Sequence, residues 1–454
     1  MNLANKNVLV IGLGRSGRAA SIKLQSLGAR VLASETAKSD AMVQLAGELG
    51  AKGIDVKLGQ QDVGLINGVD LVVISPGVPS RVPVVEAARA ANVPVWSEIE
   101  LAYHLIDKPV IAITGTNGKT TTTTLIGEAF KAAGRQAVVV GNIGTPLISA
   151  VDNKGIDAFI VEVSSFQLDT IVEFRPKISV LLNITEDHLD WHPDFEDYIR
   201  AKKRLFLNQS HDDIAVLNVD DDVVRSLLPD IKANIIRTSK RELENGIFAN
   251  NGCIIARLPG DVDICGVDEL KIRGNHNVDN VMAVTGACLA AGIDPTAIKK
   301  AITEFSGLNH RIEYIASIDG VSYYNDSKAT NVDATAKALT AFSEPVILLV
   351  GGRNKGNDFA PLAQKVNEQV KAVIGFGEAG REILDAMPPD TLQEYAETVT
   401  DAVALAGKHA KPGYIVLFSP SCASFDAFNS YAQRGEVFRK AVLGLGETNG
   451  EGKN

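Results

Sequence analysis

The sequence predicts an α/β protein of three domains, on three observations. Strand-like apolar runs alternate with helical patterns along the whole chain, as they do where crossover helices join parallel strands. Several of those runs end in glycine or small polar residues, as VLVIGLG (8–14), VIAITG (110–115) and VILLVGGRNKG (346–356) do. The chain has 454 residues, room for two to four domains at roughly 100–200 residues each.

VLVIGLG is a strand followed by a glycine turn, and DLVVISPGV (70–78) repeats that shape. After SEIELAYHL (97–105), Pro109 opens the strand VIAITG, which places a first boundary near residue 98. DAFIVEVSS (157–165) and ISVLLNIT (178–185) read as further strands. A strand-rich stretch follows near 246–273, and GNHNVDNVMAVTGACLAAG (274–292) reads as a helix ended by Gly292. A second boundary falls near 308. VSYYNDSKATN (321–331), VKAVIGFGEAG (370–380) and YIVLFSPSCAS (414–424) are strands that run into polar loops, and ETNGEGKN (447–454) is a frayed tail. The expected domains are therefore 1–98, 99–308 and 309–454. The first and third are Rossmann-like, and the middle one holds a mostly parallel sheet. Ligands of such sheets bind beyond the carboxyl ends of the strands, and the polar motifs lie there in all three segments.

A net charge of −10 argues against general affinity for nucleic acid or anionic membrane. The apolar fraction of 45% is ordinary for a soluble protein, and no apolar run reaches the ~18 residues of a membrane span. Cys253, Cys265, Cys288 and Cys422 form no C-x-x-C pair or zinc spacing, so a reducing cytoplasm is the expected setting. MNLANKNVLVIGLG carries no cleavage-site pattern, so no secretory signal is expected.

The strongest local signal is TGTNGKTTTTT (114–124), between an apolar strand and a helical pattern. Its glycines let backbone N–H groups turn toward an anion, and the helix N-terminus adds a favourable dipole. Gly115, Thr116, Asn117, Gly118, Lys119, Thr120 and Thr121 form a candidate cradle for ATP phosphates. Lys119 would reach the β- and γ-phosphates, and the Thr120 hydroxyl would ligate Mg²⁺. The pattern G-x-x-x-x-G-K-[ST] is incomplete, because Ile113 stands where its first glycine belongs. The plainer reading is a glycine turn with a surface lysine. Strand, loop, Lys-Thr and helix in that order favour the phosphate site.

Phosphoryl transfer needs divalent metal, with oxygen ligands at nearby strand ends. Glu162 ends an apolar strand, where an unpaired carboxylate is costly, and His188 follows ISVLLNIT. An exposed carboxylate and a hydrogen-bonded structural histidine are the bland alternatives. In PDFEDYIRAKKRLFLNQ (193–209), a helical wheel of about 100° per residue puts Lys202 on a stripe with Phe195, Ile199 and Phe206, and Arg204 on the far side. An inward lysine needs a reason. It is either paired with a buried carboxylate or converted by CO₂ to a carbamate, which would supply an anionic oxygen to a second Mg²⁺.

GLGRSG (12–17) fits G-x-G-x-x-G after a strand, with Glu35 about 20 residues on. Taken alone it suggests NAD, hence an oxidoreductase or sensor. Gly17 could equally serve helix–strand packing.

Together these segments become recognisable. TGTNGKT (114–120), GNIG (141–144), EVSSFQL (162–168), DHLDWH (187–192), YIRAK (198–202), GNHNVDN (274–280), HR (310–311), NDSKATN (325–331), GGRNKG (351–356) and SPSCASFDAF (419–428) occur in the order seen in the Mur ligases, which the chain resembles over nearly its whole length. SPSCASFDAFNSYAQRGEVF (419–438) and the absence of D-N-P-R look like the branch that adds D-glutamate to UDP-N-acetylmuramoyl-L-alanine. The resemblance implies ATP-dependent ligation through an acyl phosphate, with ADP and phosphate released.

It also implies residue roles. Lys119, Asn142, His188 and Lys202 would be catalytic, and Thr120, Glu162, His188 and carbamylated Lys202 would hold two Mg²⁺. Asn277 and Asn280 would contact the adenine side of ATP, and Arg311 and Asp326 its ribose and phosphates. Gly14, Arg15, Ser16 and Gly17 would bind the substrate diphosphate. Glu35, Thr36, Ser75, Pro76 and Gly77 would bind the uridine, with Asn142 near both substrate and reacting phosphate. Lys328, Thr330, Lys355, Ser424 and Tyr431 would surround D-glutamate. No residue stands out as a base for the amine. Small molecules are the expected partners, with neither nucleic acid nor membrane, and a monomer is expected. A C-terminal domain closing over the cleft would exclude water from the acyl phosphate. A folylpolyglutamate-type ligase is the nearest alternative, disfavoured by the N-terminal GLGRSG. A non-catalytic nucleotide-binding regulator would leave the metal set unexplained.

Overall fold

The computed structural model describes residues 2–450 apart from Gln60, Ile143, Leu189, Asp190, Pro259, Arg273, Lys355, Asn357, Asn367 and Glu368, and apart from the side chains of Asp333 and 446–450. Three sheets carry the chain. The first joins β1 (Asn7–Ile11), β2 (Arg30–Glu35), β3 (Asp55–Leu58), β4 (Leu71–Ile74) and β5 (Val95–Ser97) in the order β3-β2-β1-β4-β5, all parallel. β4 is apolar and buried at every position, the pattern of a parallel strand covered on both faces. The chain runs outward to β2 and β3 on one side of β1 and to β4 and β5 on the other. The loops after β1 and β4 therefore open a crevice at the switch point.

The second sheet has nine strands: β6 (Val110–Thr114), β7 (Ala137–Gly141), β8 (Ala158–Glu162), β9 (Ile178–Leu181), β10 (Ile214–Asn218), β11 (Asn234–Ser239), β12 (Gly246–Asn250), β13 (Cys253–Arg257) and β14 (Asp261–Gly266). Their order is β14-β13-β12-β11-β10-β9-β6-β8-β7, parallel except for β13 and β14. β6 lies between β8 and β9, so the loop after it emerges at this sheet's switch point. The third sheet joins β15 (Glu313–Ile318), β16 (Val321–Asn325), β17 (Val346–Gly351), β18 (Val370–Phe376), β19 (Leu392–Ala396) and β20 (Ile415–Ser421) in the order β15-β16-β20-β17-β18-β19, antiparallel only at β15.

The chain divides into two compact units. One holds the first two sheets and residues 278–303, and the other holds 268–277 with the third sheet. In the first unit one apolar cluster runs from Val8 and Val10 of β1 to Phe159 of β8 and Leu217 of β10. Among the described residues no helix is long and apolar enough to cross a membrane.

Candidate active site

β6 delivers the loop 115–118 to the start of the helix Lys119–Ala132. Gly118 caps that helix at φ +86°, and a Cβ there would stand 2.2 Å from Asn280 Oδ1. The position needs glycine both for its left-handed backbone and for the close approach of Asn280, itself buried. The loop is pinned to the segment after β9. Thr116 N donates to Asn183 O at 2.9 Å, Asn117 N to Asn183 Oδ1 at 2.8 Å, and Thr116 Oγ1 to Thr185 O at 3.1 Å. Lys119 Nζ folds back on Gly115 O and Thr116 O, 2.9 Å from each. Thr120 is half-buried and Thr121 buried in the first helical turn. Such a rigid cradle, with a cation at its rim, suits a polyphosphate.

Lys202 reaches the same loop from the helix Phe195–Lys203. Its side chain is 1% exposed, Nζ donates to Gly115 O at 2.9 Å, and it lies 4.6 Å from the Tyr198 ring centroid. Among the described residues no carboxylate stands within ion-pair distance of it. Burial holds the amine well below the usual lysine range, the Lys119 charge adds to that, and Asp187 opposes. An uncharged amine is the form that reacts with CO₂. The buried stripe differs from the sequence expectation: Tyr198, Ala201, Lys202 and Leu205 are inside, while Phe195 and Ile199 are half-buried. Phe206, in the 3₁₀ turn Arg204–Phe206 that follows, is buried as expected. Arg204, expected on the far side, instead donates to the carbonyls of Leu168 and Ile171.

Glu162 ends β8 opposite Ile113 of β6, which puts its carboxylate beside the phosphate loop. It is 3% exposed; Oε1 accepts from Asn142 Nδ2 at 3.1 Å, and Oε2 is buried without a hydrogen-bond partner. An anionic oxygen so placed fits a divalent cation. His188 adopts φ +55°, strained for a non-glycine residue, so its turn is held by its surroundings. Its ring packs edge-on to Phe166 at 4.9 Å, and Nε2 lies 3.6 Å from Asp187. Among the described residues no three His, Cys, Asp or Glu side chains cluster as a metal site. A metal here would need the Thr120 hydroxyl and a modified Lys202 beside Glu162.

A cavity of 540 Å³ opens at the crevice of the first sheet. Gly14, Arg15, Ser16, Glu35, Thr36, Ser75, Pro76, Gly77 and Asn142, all singled out from sequence, line it. Gly17 does not: a Cβ there would stand 1.8 Å from Gly12 O, so its role is close helix–strand packing. The helix Arg15–Ser26 begins at the cavity with no side-chain cap, leaving its first N–H groups for an anion. Glu35 is bound from within: Oε2 accepts from Leu13 N at 2.9 Å and Oε1 from Ala37 N at 3.1 Å. Burial raises its pKa, but those bonds outweigh it and hold the carboxyl below the usual glutamate value. Arg15 Nη1 donates to Gly144 O at 3.0 Å, closing the cavity against the loop after β7. Gln167, which sequence reading passed over, also lines the wall.

In the second unit, Asp326 lies at the end of β16 with Oδ2 accepting from Ser419 Oγ at 2.8 Å. Burial pushes its carboxyl up to about 7 against the Ser419 and Ile312 bonds and the nearby Arg311 charge. Lys328 and Thr330 are exposed on the loop that follows, Ser424 is buried, and Lys328 Nζ lies 5.9 Å from the Tyr431 ring centroid. Lys355 falls outside the described residues. Asn277 lies in the first turn of the helix Asn275–Ala290. Arg434, missed from sequence, is fully buried and binds this cluster together. Its Nη2 donates to Ser327 O at 2.9 Å and its Nη1 to Cys422 O at 3.0 Å.

Three family models match the chain: the Mur ligase MurD-like N-terminal domain over 6–97, the Mur ligase middle domain over 113–288, and the Mur ligase glutamate ligase domain over 310–422. The chain is 45% identical over 449 residues to UDP-N-acetylmuramoylalanine–D-glutamate ligase of Pelotomaculum thermopropionicum, covering 98% of this chain and 99% of that one. It is 44% identical over 447 residues to the enzyme of that name from Geotalea uraniireducens, with the same coverage. Among solved structures it is similar to UDP-N-acetylmuramate–alanine ligase MurC of Thermotoga maritima, at TM-score 0.56 and 18% identity over 97% of this chain and 99% of that one. MurF ligase of Thermotoga maritima, solved with ADP, gives TM-score 0.56 and 17% identity over 98% and 96%.

Proposed function

The chain belongs to the Mur ligases, in the branch of the UDP-N-acetylmuramoylalanine–D-glutamate ligases, and on that premise we propose that it joins D-glutamate to UDP-N-acetylmuramoyl-L-alanine using ATP. A carboxylate is a poor electrophile, and oxide is a poor leaving group. Transfer of the γ-phosphoryl group to the alanyl carboxylate gives an acyl phosphate, which the D-glutamate amine attacks. The tetrahedral adduct then expels phosphate.

The cradle 115–121 binds the ATP phosphates, and Lys119 leaves its carbonyl partners to offset their charge. Thr120, Glu162, His188 and carbamylated Lys202 hold magnesium, which when bound lowers the repulsion between phosphoryl oxygens and the incoming carboxylate. Asn277, Asn280, Arg311 and Asp326 hold the nucleoside side of ATP. The cavity lined by Gly14, Arg15, Ser16, Glu35, Thr36, Ser75, Pro76 and Gly77 takes the uridine diphosphate. Lys328, Thr330, Lys355, Ser424 and Tyr431 receive D-glutamate. A cytoplasmic monomer with domains divided at residues 98 and 308 is part of the same reading.

The observation that carries it is Asn142, which lines the nucleotide cavity and bonds the carboxylate beside the phosphate loop. Sugar-linked acid and γ-phosphate would meet at that junction. Phosphate release with UDP-N-acetylmuramoyl-L-alanine, ATP and a panel of amino acids tests the proposal. D-Glutamate should outpace the others; equal rates with lysine or diaminopimelate would overturn it.

A further inference from the structure

The cavity wall at Pro79–Val82 leaves the first sheet and is fastened to elements of the second by two polar contacts. Ser80 Oγ donates to Asp169 Oδ2, and Arg81 Nη2 donates to Asp197 Oδ1 at 3.0 Å. Asp197 collects more: Arg200 donates to the same oxygen, and His192 Nδ1 lies 2.8 Å from Oδ2. The far ring nitrogen of His192 is 3.0 Å from Ser165 Oγ. Burial raises the Asp197 carboxyl, yet the His192 bond and the Arg200 and Arg81 charges outweigh it and hold the group below its usual value. An ionised carboxylate only accepts, so His192 Nδ1 carries its proton toward Asp197. Nε2 on the other side of the ring is left facing the Ser165 hydroxyl.

Every strand of this network leads to the proposed site. Arg81 sits between Pro79 and Val82, which line the cavity. Ser165 opens the short helix after β8 that carries the cavity residue Gln167. The His192 amide donates to His188 O at 2.9 Å, fixing the turn of the strained His188. Asp197 lies on the helix Phe195–Lys203, which carries Lys202. Asp197 is buried while its partners Arg81 and Arg200 reach solvent, so these ion pairs add little net stability, and what they supply is direction.

We infer that Asp197 is a positioning residue for the nucleotide-sugar substrate: it sets the cavity wall at Arg81 in register with the turn of His188 and the helix of Lys202. The inference rests on the reading of the cavity given above. The test uses the full chain as wild type, Arg81→Ala, Asp197→Asn and the double variant, with UDP-N-acetylmuramoyl-L-alanine and ATP varied separately. Each single variant should raise KM for the nucleotide-sugar about tenfold and change KM for ATP less than about twofold, and the double variant should be no worse than Asp197→Asn. Additive losses, equal changes in both KM values, or a lowered melting temperature with wild-type kinetics would overturn the inference. Should Asp197→Asn fail to fold, the half-exposed Arg81→Ala and the interior His192→Gln are judged by the same KM split. A wild-type chain that does not turn over the nucleotide-sugar would instead defeat the functional reading itself.

Discussion

Asn142 grips Glu162 twice, through its side-chain amide on Oε1 at 3.1 Å and its backbone N–H on the carbonyl at 2.8 Å. That pair of bonds leaves Oε2 buried with no hydrogen-bond partner among the described residues. The arrangement separates two roles within one side chain: Oε1 holds the cavity wall, and Oε2 is the atom that a cation would meet.

Glu162→Gln tests the separation, because the amide retains an acceptor for Asn142 and loses the charge. Phosphate release should fall on the order of a hundredfold, and the Mg²⁺ concentration for half-maximal rate should rise. A magnesium titration with wild-type dependence would mean that the carboxylate serves Asn142 alone.

Gly118→Ala combines a left-handed backbone with a Cβ 2.2 Å from Asn280 Oδ1. The backbone conformation costs about 1–2 kcal/mol, so the fold should survive with a modestly lower melting temperature. The loop itself must shift, and KM for ATP should rise about tenfold or more, because the cradle N–H groups then miss the phosphates. Nucleotide titrations beside thermal melts check both halves. Unchanged KM for ATP would separate the loop from nucleotide binding.

Much of this was legible in the sequence for a physical reason. A parallel strand covered on both faces is written as an unbroken apolar run. β1, β4, β6, β8, β9, β16, β17, β18 and β20 each stand where such a run was read. Lys202 could be placed inside because a cation on an apolar stripe is conspicuous. The same reasoning would have found Arg434, one turn before the buried Phe438 in the helix Tyr431–Gly450. Glu98 and Glu100 were not legible. Acids in the first turn of a helix read as exposed partners of its dipole. Here they are buried, and Glu100 accepts the amides of Val172, Glu173 and Phe174. Only contacts made 50 residues away for Glu98 and 72 for Glu100 explain them, and local pattern carries no trace of either.

Lys202→Ala removes both the loop contact and the amine that would take up CO₂. Activity should fall by at least about a hundredfold, and short carboxylic acids should restore part of it by placing an anionic oxygen in the vacated space. Depleting bicarbonate should slow the wild-type chain and leave the variant unaffected. Full activity in Lys202→Ala, without added acid, would reduce the lysine to a strut for Gly115.

Glu98 offers a test through pH. It is fully buried; Oε1 accepts from Ile148 N at 2.6 Å, and Oε2 has no donor. Burial raises its carboxyl from 4.5 to about 7 against the Ile148 amide and the Gln167 side chain. The Gln167 amide nitrogen is near enough to temper that rise yet makes no hydrogen bond of its own. Between pH 4.5 and about 7 the folded chain keeps a proton that the unfolded chain has released. Stability therefore declines as pH rises across that window and levels off above it. Glu98→Gln keeps an acceptor for Ile148 and never ionises, so the part of the decline that Glu98 contributes should vanish. Chemical denaturation should find the variant close to wild type at pH 5 and more stable at pH 8, by at most about 3 kcal/mol. Asp326, also raised to about 7, titrates in both chains and drops out of the difference. A gap between variant and wild type that is the same at both pH values would mean that Glu98 ionises at its ordinary pKa.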